Sequence, residues 1–249
     1  MGVSSSYQPT ICDLATITFM NFGGGITCIE GLQYCVNLTI LDLGGNSITD
    51  LRPIAALTKL TELRLYFNQI SDLSPLSGLT NLTTLLLNDN QISDISPLST
   101  LANLRLLYLF YNQISDISAL SSLKNLGAIV LYGNQVSDLS PLTGLTNLKS
   151  VCLMGNPVSD ISPLSSVTNL YFISLTGCPV RDISALSGLM GLYEADLGGT
   201  QISDLGALVS NTGFKKSKGL LTVTGDPLSS TAKNAQIPKL RASGISVTD

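Results

Sequence analysis

Histidine and tryptophan are absent from this chain, and charged residues fill only 12% of its 249 positions. Without histidine, Ser-His and Cys-His nucleophile pairs are impossible and the commonest metal ligand is missing. The five cysteines, Cys12, Cys28, Cys35, Cys152 and Cys178, show no CxxC spacing. They read as small apolar fillers, with one bridge near the N-terminus left open, and no metal is expected. Glu62 with Arg64, and Glu194 with Asp196, fall side by side on predicted strands. An open strand face offers no cleft to shift their pKa values, so neither catalysis nor a cofactor is expected.

Long apolar runs are missing too. The charge-free stretch Leu14 to Ile29 is interrupted by Gly23, Gly24 and Gly25 and is too short and polar to span a membrane. Met1 to Thr10 has neither a basic start nor an apolar core, so no secretory leader is read there and a soluble chain is expected. Net charge is −4, which gives no reason to expect nucleic acid. The charge is uneven: residues 1–214 hold 7 basic and 15 acidic groups, residues 215–249 hold 6 and 2. Lys215, Lys216 and Lys218 read as a solvated loop rather than a phosphate site.

What is present is a repeat. Asn46, Asn68, Asn90, Asn112, Asn134 and Asn156 recur every 22 residues, and Cys178 and Thr200 occupy the next two places. Around them runs L-x-x-L-x-L-x-x-N-x-I-x-D-[LI]-x-x-L-x-x-L, in eight in-phase copies. The L-x-L alternation sends leucines inward and the residue between them outward, as a strand requires. One copy cannot bury its own leucines, so neighbours must stack. The asparagine amide both donates and accepts, so a column of them can satisfy the backbone of a buried turn. Cys178 and Thr200 do this less fully, which predicts looser turns there. Ser-Pro pairs, such as Ser74-Pro75 and Ser96-Pro97, predict a short 3₁₀ turn with serine as N-cap and proline at the first helical position.

The "NQISDISPLS" wording resembles leucine-rich repeat proteins of the 22-residue class, and in particular the internalin-like repeats of bacterial surface proteins. The resemblance implies an α/β solenoid: a right-handed array with a concave parallel β-sheet and 3₁₀ turns on the convex side. It also implies a protein partner and a bacterial, extracellular or cell-surface parent. Residues 1–37 are expected to form an N-terminal cap and degenerate first repeat, 38–211 the eight repeats, and 212–249 a C-terminal capping repeat. Within the caps, residues 7–16 are expected to cover a first strand built on Ile17, Met20 and Phe22. At the other end, four extra residues, strands at Leu221–Val223 and Ile245–Val247, and helical turns broken at Pro238 are expected.

Three columns invite a functional reading. Asp50, Asp72, Asp94, Asp116, Asp138, Asp160, Asp182 and Asp204 form an acidic row. It reads either as calcium ligands or, the favoured reading, as acceptors for the backbone N–H groups of their own turns. The N-L-T triplets at Asn37 and Asn81 match a glycosylation acceptor but follow the repeat pattern. The third column is the open sheet face, counted as places 3, 5, 7 and 8 from the first leucine of each copy. Those 32 positions hold 7 of the 14 aromatic residues: Tyr66, Phe67, Tyr108, Phe110, Tyr111, Tyr132 and Phe172. Exposed rings are the usual anchors of protein interfaces. Glu62, Arg64 and Asp89 lie beside them and would set register. Glycines elsewhere on the face leave bare shoulders. The other reading is that the rings ladder across strands and stabilise the sheet. The favoured function is a monomeric, non-catalytic module that grips a protein on its concave face. A cytoplasmic scaffold for a phosphatase-like partner and a self-assembling array are the alternatives.

Overall fold

The structure, a computed structural model, describes residues 14–249. Residues 1–13, which include Cys12 and most of the expected N-terminal cap, lie outside the described residues. Eleven three-residue strands form one parallel sheet whose order follows the sequence. They are β1 (Phe19–Asn21), β2 (Ile40–Asp42), β3 (Glu62–Arg64), β4 (Thr84–Leu86), β5 (Leu106–Tyr108), β6 (Ala128–Val130), β7 (Ser150–Cys152), β8 (Phe172–Ser174), β9 (Glu194–Asp196), β10 (Leu220–Thr222) and β11 (Ser246–Thr248). From β2 to β9 the register steps by the repeat length, so Leu41, Leu63, Leu85, Leu107, Ile129, Val151, Ile173 and Ala195 stack as neighbours. These central residues are fully buried, while their flanks face outward.

Two asparagine columns fix the turns. Asn112 donates from Nδ2 to the carbonyls of Leu109 and Leu87, both at 3.0 Å, and accepts from Ile92 N–H at 3.0 Å. Asn68, Asn90, Asn134 and Asn156 repeat this three-bond pattern. Each amide therefore closes its own turn and ties it to the preceding repeat, leaving few buried backbone groups unpaired. A second column precedes the strands: Asn81, Asn103, Asn125, Asn147 and Asn169 each donate to a carbonyl 23 residues earlier. Asn37 and Asn81, the two triplet asparagines, donate to Ala15 and Thr58 respectively.

Where the first column ends, its bonds to the preceding repeat thin out. Cys178 and Thr200 stay buried, and Cys178 Sγ donates to Leu153 O at 3.2 Å. Thr200 does not reach back to Val180 N–H, which turns instead to Cys178 O at 2.8 Å, so the chain closes on itself.

On the convex side, 3₁₀ turns follow each strand from Arg52–Ile54 to Ser184–Gly188. Serine is not their N-cap. It is the first residue of the turn with proline second, and the preceding Leu or Ile caps without a side-chain bond. The side-chain acceptor comes one residue earlier still. Asp72, Asp94, Asp116, Asp138, Asp160 and Asp182 accept from the backbone N–H of Ser74, Ser96, Ser118, Ser140, Ser162 and Ser184 at 2.7–2.8 Å. These bonds hold the carboxyls of Asp72, Asp94 and Asp138 below the usual aspartate range.

The C-terminal end departs from the repeat. After β9 the outer turn is helical, α1 (Gly206–Ser210), followed by α2 (Thr212–Ser217), which carries Lys215 and Lys216. The lysines therefore sit on a short helix and its cap rather than in a loop. Asn211 caps it by accepting from Phe214 N–H, and both residues are fully buried. Pro238 does not break the last helical segment: a π-turn at Ala232–Gln236 precedes it and α3 (Ile237–Ala242) continues through it. Proline lacks an N–H, and the wider turn accommodates that loss. Gln236 latches this cap to the last repeat, accepting from Leu205 N–H and donating to Asp204, both at 2.8 Å.

Candidate functional site

The outward positions of β3 to β6, and the turns that follow them, carry most of the candidate residues. Glu62 and Arg64 flank buried Leu63 on the open face of β3. Arg64 donates to Glu62 at 2.7 Å and to Asp42, one strand away, at 3.3 Å. Glu62 first, then Asp42, favours its charged form. The guanidinium is thus engaged within the sheet.

The rings form two groups. In the first, Tyr66 and Phe67 meet edge to face, centroids 6.0 Å apart. In the second, Phe110 stacks on Tyr132 at 4.4 Å across neighbouring repeats, and Tyr111 meets Tyr132 edge to face at 4.9 Å. Tyr108 and Tyr111 lie 6.0 and 5.9 Å from Phe110. Burial among these rings raises the Tyr132 phenol above its ordinary pKa. The second group is therefore partly a ladder, while Phe67 and Tyr111 remain 57% and 55% exposed. Phe172 stands apart on β8, three strands beyond Tyr108, and has no ring contact among the described residues.

Two of the bare shoulders are floors beneath rings. A Cβ added at Gly44 would lie 2.3 Å from Tyr66 Cζ, and one at Gly133 would lie 2.6 Å from Tyr111 Cδ1. A side chain at either glycine would lift the ring off the sheet. Both rings lean away from the third repeat, towards the first and the fifth.

Place 8 carries a backbone signal that sequence reasoning missed. Gly45, Gly133, Gly155, Gly177 and Gly199 have φ between 68° and 72°, the left-handed region. In the other three copies the same conformation is held by Phe67 (φ 52°), Asp89 (φ 55°) and Tyr111 (φ 52°). A residue with a Cβ in this region costs roughly 1–2 kcal/mol, less for aspartate than for a ring-bearing residue. Five glycines in one column were the available clue. Sequence reasoning also missed Tyr171 and Tyr193, which stack at 5.0 Å and 6° just before β8 and β9.

Asp89 lies between the two ring groups. Its carboxylate accepts from Asn88 Nδ2 at 2.9 Å, and it forms no ion pair among the described residues. Among the described residues no group of three or more His, Cys, Asp or Glu could hold a metal ion. The described thiols of Cys28, Cys35, Cys152 and Cys178 are free, and burial raises the last three above the ordinary thiol pKa. A cavity of about 190 Å³ lies at the N-terminal end, lined by Phe22, Ile26, Cys28, Ile29, Leu32 and Leu43, away from the rings.

Comparison with known proteins gives the following. The family of Leucine Rich repeats (2 copies) matches residues 36–78, 58–100, 80–122, 102–144 and 146–188, more than half of the chain. An internalin (InlF) from Listeria monocytogenes is 27% identical over 100% of this chain and 87% of its own, with a TM-score of 0.77. An internalin C2 (InlC2) from the same organism is 43% identical, covers 76% of this chain and 84% of its own, and has a TM-score of 0.74. The plant peptide hormone receptor RGFR1 in complex with RGF2 is 25% identical over 88% of this chain and 37% of its own, with a TM-score of 0.71. No curated protein matches the chain by sequence.

Proposed function

This chain belongs to the leucine-rich repeat family as an internalin-like member, and from that premise we propose that it grips another protein through the rings on its open sheet face. The carrying observation is the placement of Phe67 and Tyr111. Both rings are exposed, and both sit on a backbone conformation that the same scaffold elsewhere gives to glycine. Core packing does not account for two strained, solvated aromatics, because the inward positions are already filled by leucine, isoleucine and valine. Strain of this kind is retained where function selects for it, and large rigid rings are the residues that dominate interfaces. The plant receptor with its bound partner offers an analogy for recognition by this fold. On the internalin resemblance, the parent protein is assigned to a bacterial surface or secreted setting. No helix among the described residues is long and apolar enough to cross a membrane.

The test replaces both residues by what the backbone prefers. The double variant Phe67→Gly, Tyr111→Gly is compared with the wild-type chain in a crosslinking pull-down from the organism's natural surroundings. Specific capture should be lost in the variant while its circular dichroism stays unchanged. Capture that survives the loss of both rings moves the site off this face.

A further inference from the structure

Resting on that reading, we infer that the partner inserts one cationic side chain, arginine or lysine, between the two ring groups, with Asp89 as its counter-ion. The third repeat, which separates the groups, carries Leu86, Asn88 and Asp89 on the open face and no ring. Phe67 and Tyr111 lie two strands apart, a backbone separation of about 10 Å, with Asp89 in the same column between them. Tyr66 and Tyr111 lean away from the third repeat, onto Gly44 and Gly133, which leaves Asp89 between the two ring groups.

Charge supplies the sign. The 32 open-face positions of the eight repeats hold five acids and one base, and that base, Arg64, is already engaged by Glu62 and Asp42. Asp89 receives one neutral donor, Asn88 Nδ2, from a side chain that is itself buried and fixed. A carboxylate placed between two aromatic groups favours a guanidinium or an ammonium over a neutral or acidic group. The left-handed backbone at Asp89 does not require an acid, since asparagine or glycine would serve it equally. What aspartate adds there is charge.

Three capped tripeptides test this: acetyl-Gly-Arg-Gly-amide, its lysine counterpart and its neutral citrulline counterpart. Each is titrated into the full chain while NMR follows the ring signals of Phe67 and Tyr111. The arginine or the lysine peptide should shift both rings saturably, with the citrulline peptide weaker by about five- to tenfold. Asp89→Asn, which keeps the backbone preference and removes the charge, should erase that difference, and Glu194→Gln should preserve it. Equal affinity for the arginine, lysine and citrulline peptides overturns the inference, as does any titration in which none moves the rings. Either failure leaves the wider reading to be judged by the pull-down with the ring-to-glycine variant, which does not depend on the charge of Asp89.

Discussion

Between Glu62 and Tyr132 the open face carries rings and charges. Between Cys152 and Gly199 the same columns carry one ring, Phe172, and two acids, Glu194 and Asp196, among Cys152, Met154, Ser174, Thr176 and four glycines, three of them left-handed. Beneath both halves the scaffold is nearly the same: buried aliphatic strand centres and, as far as Cys178, side-chain bonds that join each turn to the one before. The contrast separates what stacking demands from what it permits. Inward positions and ladder positions answer to neighbouring copies and therefore recur. Outward positions are not fixed by the repeat, and in the first half they depart from the preferred residue even where the backbone resists.

Breaking the shared part should have the largest effect. Asn112→Ala removes three bonds and leaves Ile92 N–H and two buried carbonyls to find new partners. A loss of about 2–4 kcal/mol is expected, read as a drop in Tm by calorimetry. A fall no larger than that of an exposed-site control such as Gln113→Ala would show that the ladder is dispensable. Breaking the variable part should have a comparably large effect on recognition alone, with capture by Phe67→Gly, Tyr111→Gly weakened about thirtyfold or more.

A smaller effect is expected where the ladder ends. Asp226 stands in the asparagine place after β10, and its Oδ1 accepts from Thr200 Oγ1 at 2.8 Å. Its Oδ2 is buried with no hydrogen-bond partner among the described residues, and burial raises the carboxyl above the usual aspartate range. A raised folded-state pKa means that the native state holds the proton more tightly than the unfolded chain. Stability from this group is therefore greatest below the unfolded pKa of about 3.9 and declines as pH rises through the folded value. Asp226→Asn should raise Tm at pH 7, with a gain that shrinks as pH falls towards 4. A lower Tm at pH 7 would contradict the assignment of Asp226 to a failed ladder position.

The capping carboxylates work in the opposite sense and should matter least individually. Asp72, Asp94 and Asp138 have folded-state pKa values held down by serine N–H bonds. Their contribution is present above the unfolded pKa and is lost as pH falls through the folded one. Asp94→Ala should lower Tm slightly at pH 7, and the difference from wild type should vanish in acid. A pH-independent difference would point to the turn's backbone rather than to the charge.

Features that recur every 22 residues were legible in the sequence because each is set by its own copy and the next. The strand leucines, Asn46 through Asn156 and the outward places all belong to this class. Features that occur once were not legible. The pairing of Arg64 with Asp42, the lean of Tyr66 onto Gly44, and the π-turn before Pro238 depend on neighbours that no local pattern specifies. An intermediate case is place 8. Its glycines are periodic, yet they look like missing side chains until φ shows that the backbone selects them. Read that way, Phe67 and Tyr111 change from additions to a bare surface into substitutions against a preference.

That preference can be measured directly by the thermal unfolding of Phe67→Gly alone. Phe67 makes one edge contact, with Tyr66, and holds φ at 52°. If the ring is kept for recognition, relief of roughly 1 kcal/mol of backbone strain should leave Tm unchanged or raise it by about 2–4 °C. A Tm several degrees below wild type would show that the ring is there to hold the sheet together, and would contradict the account.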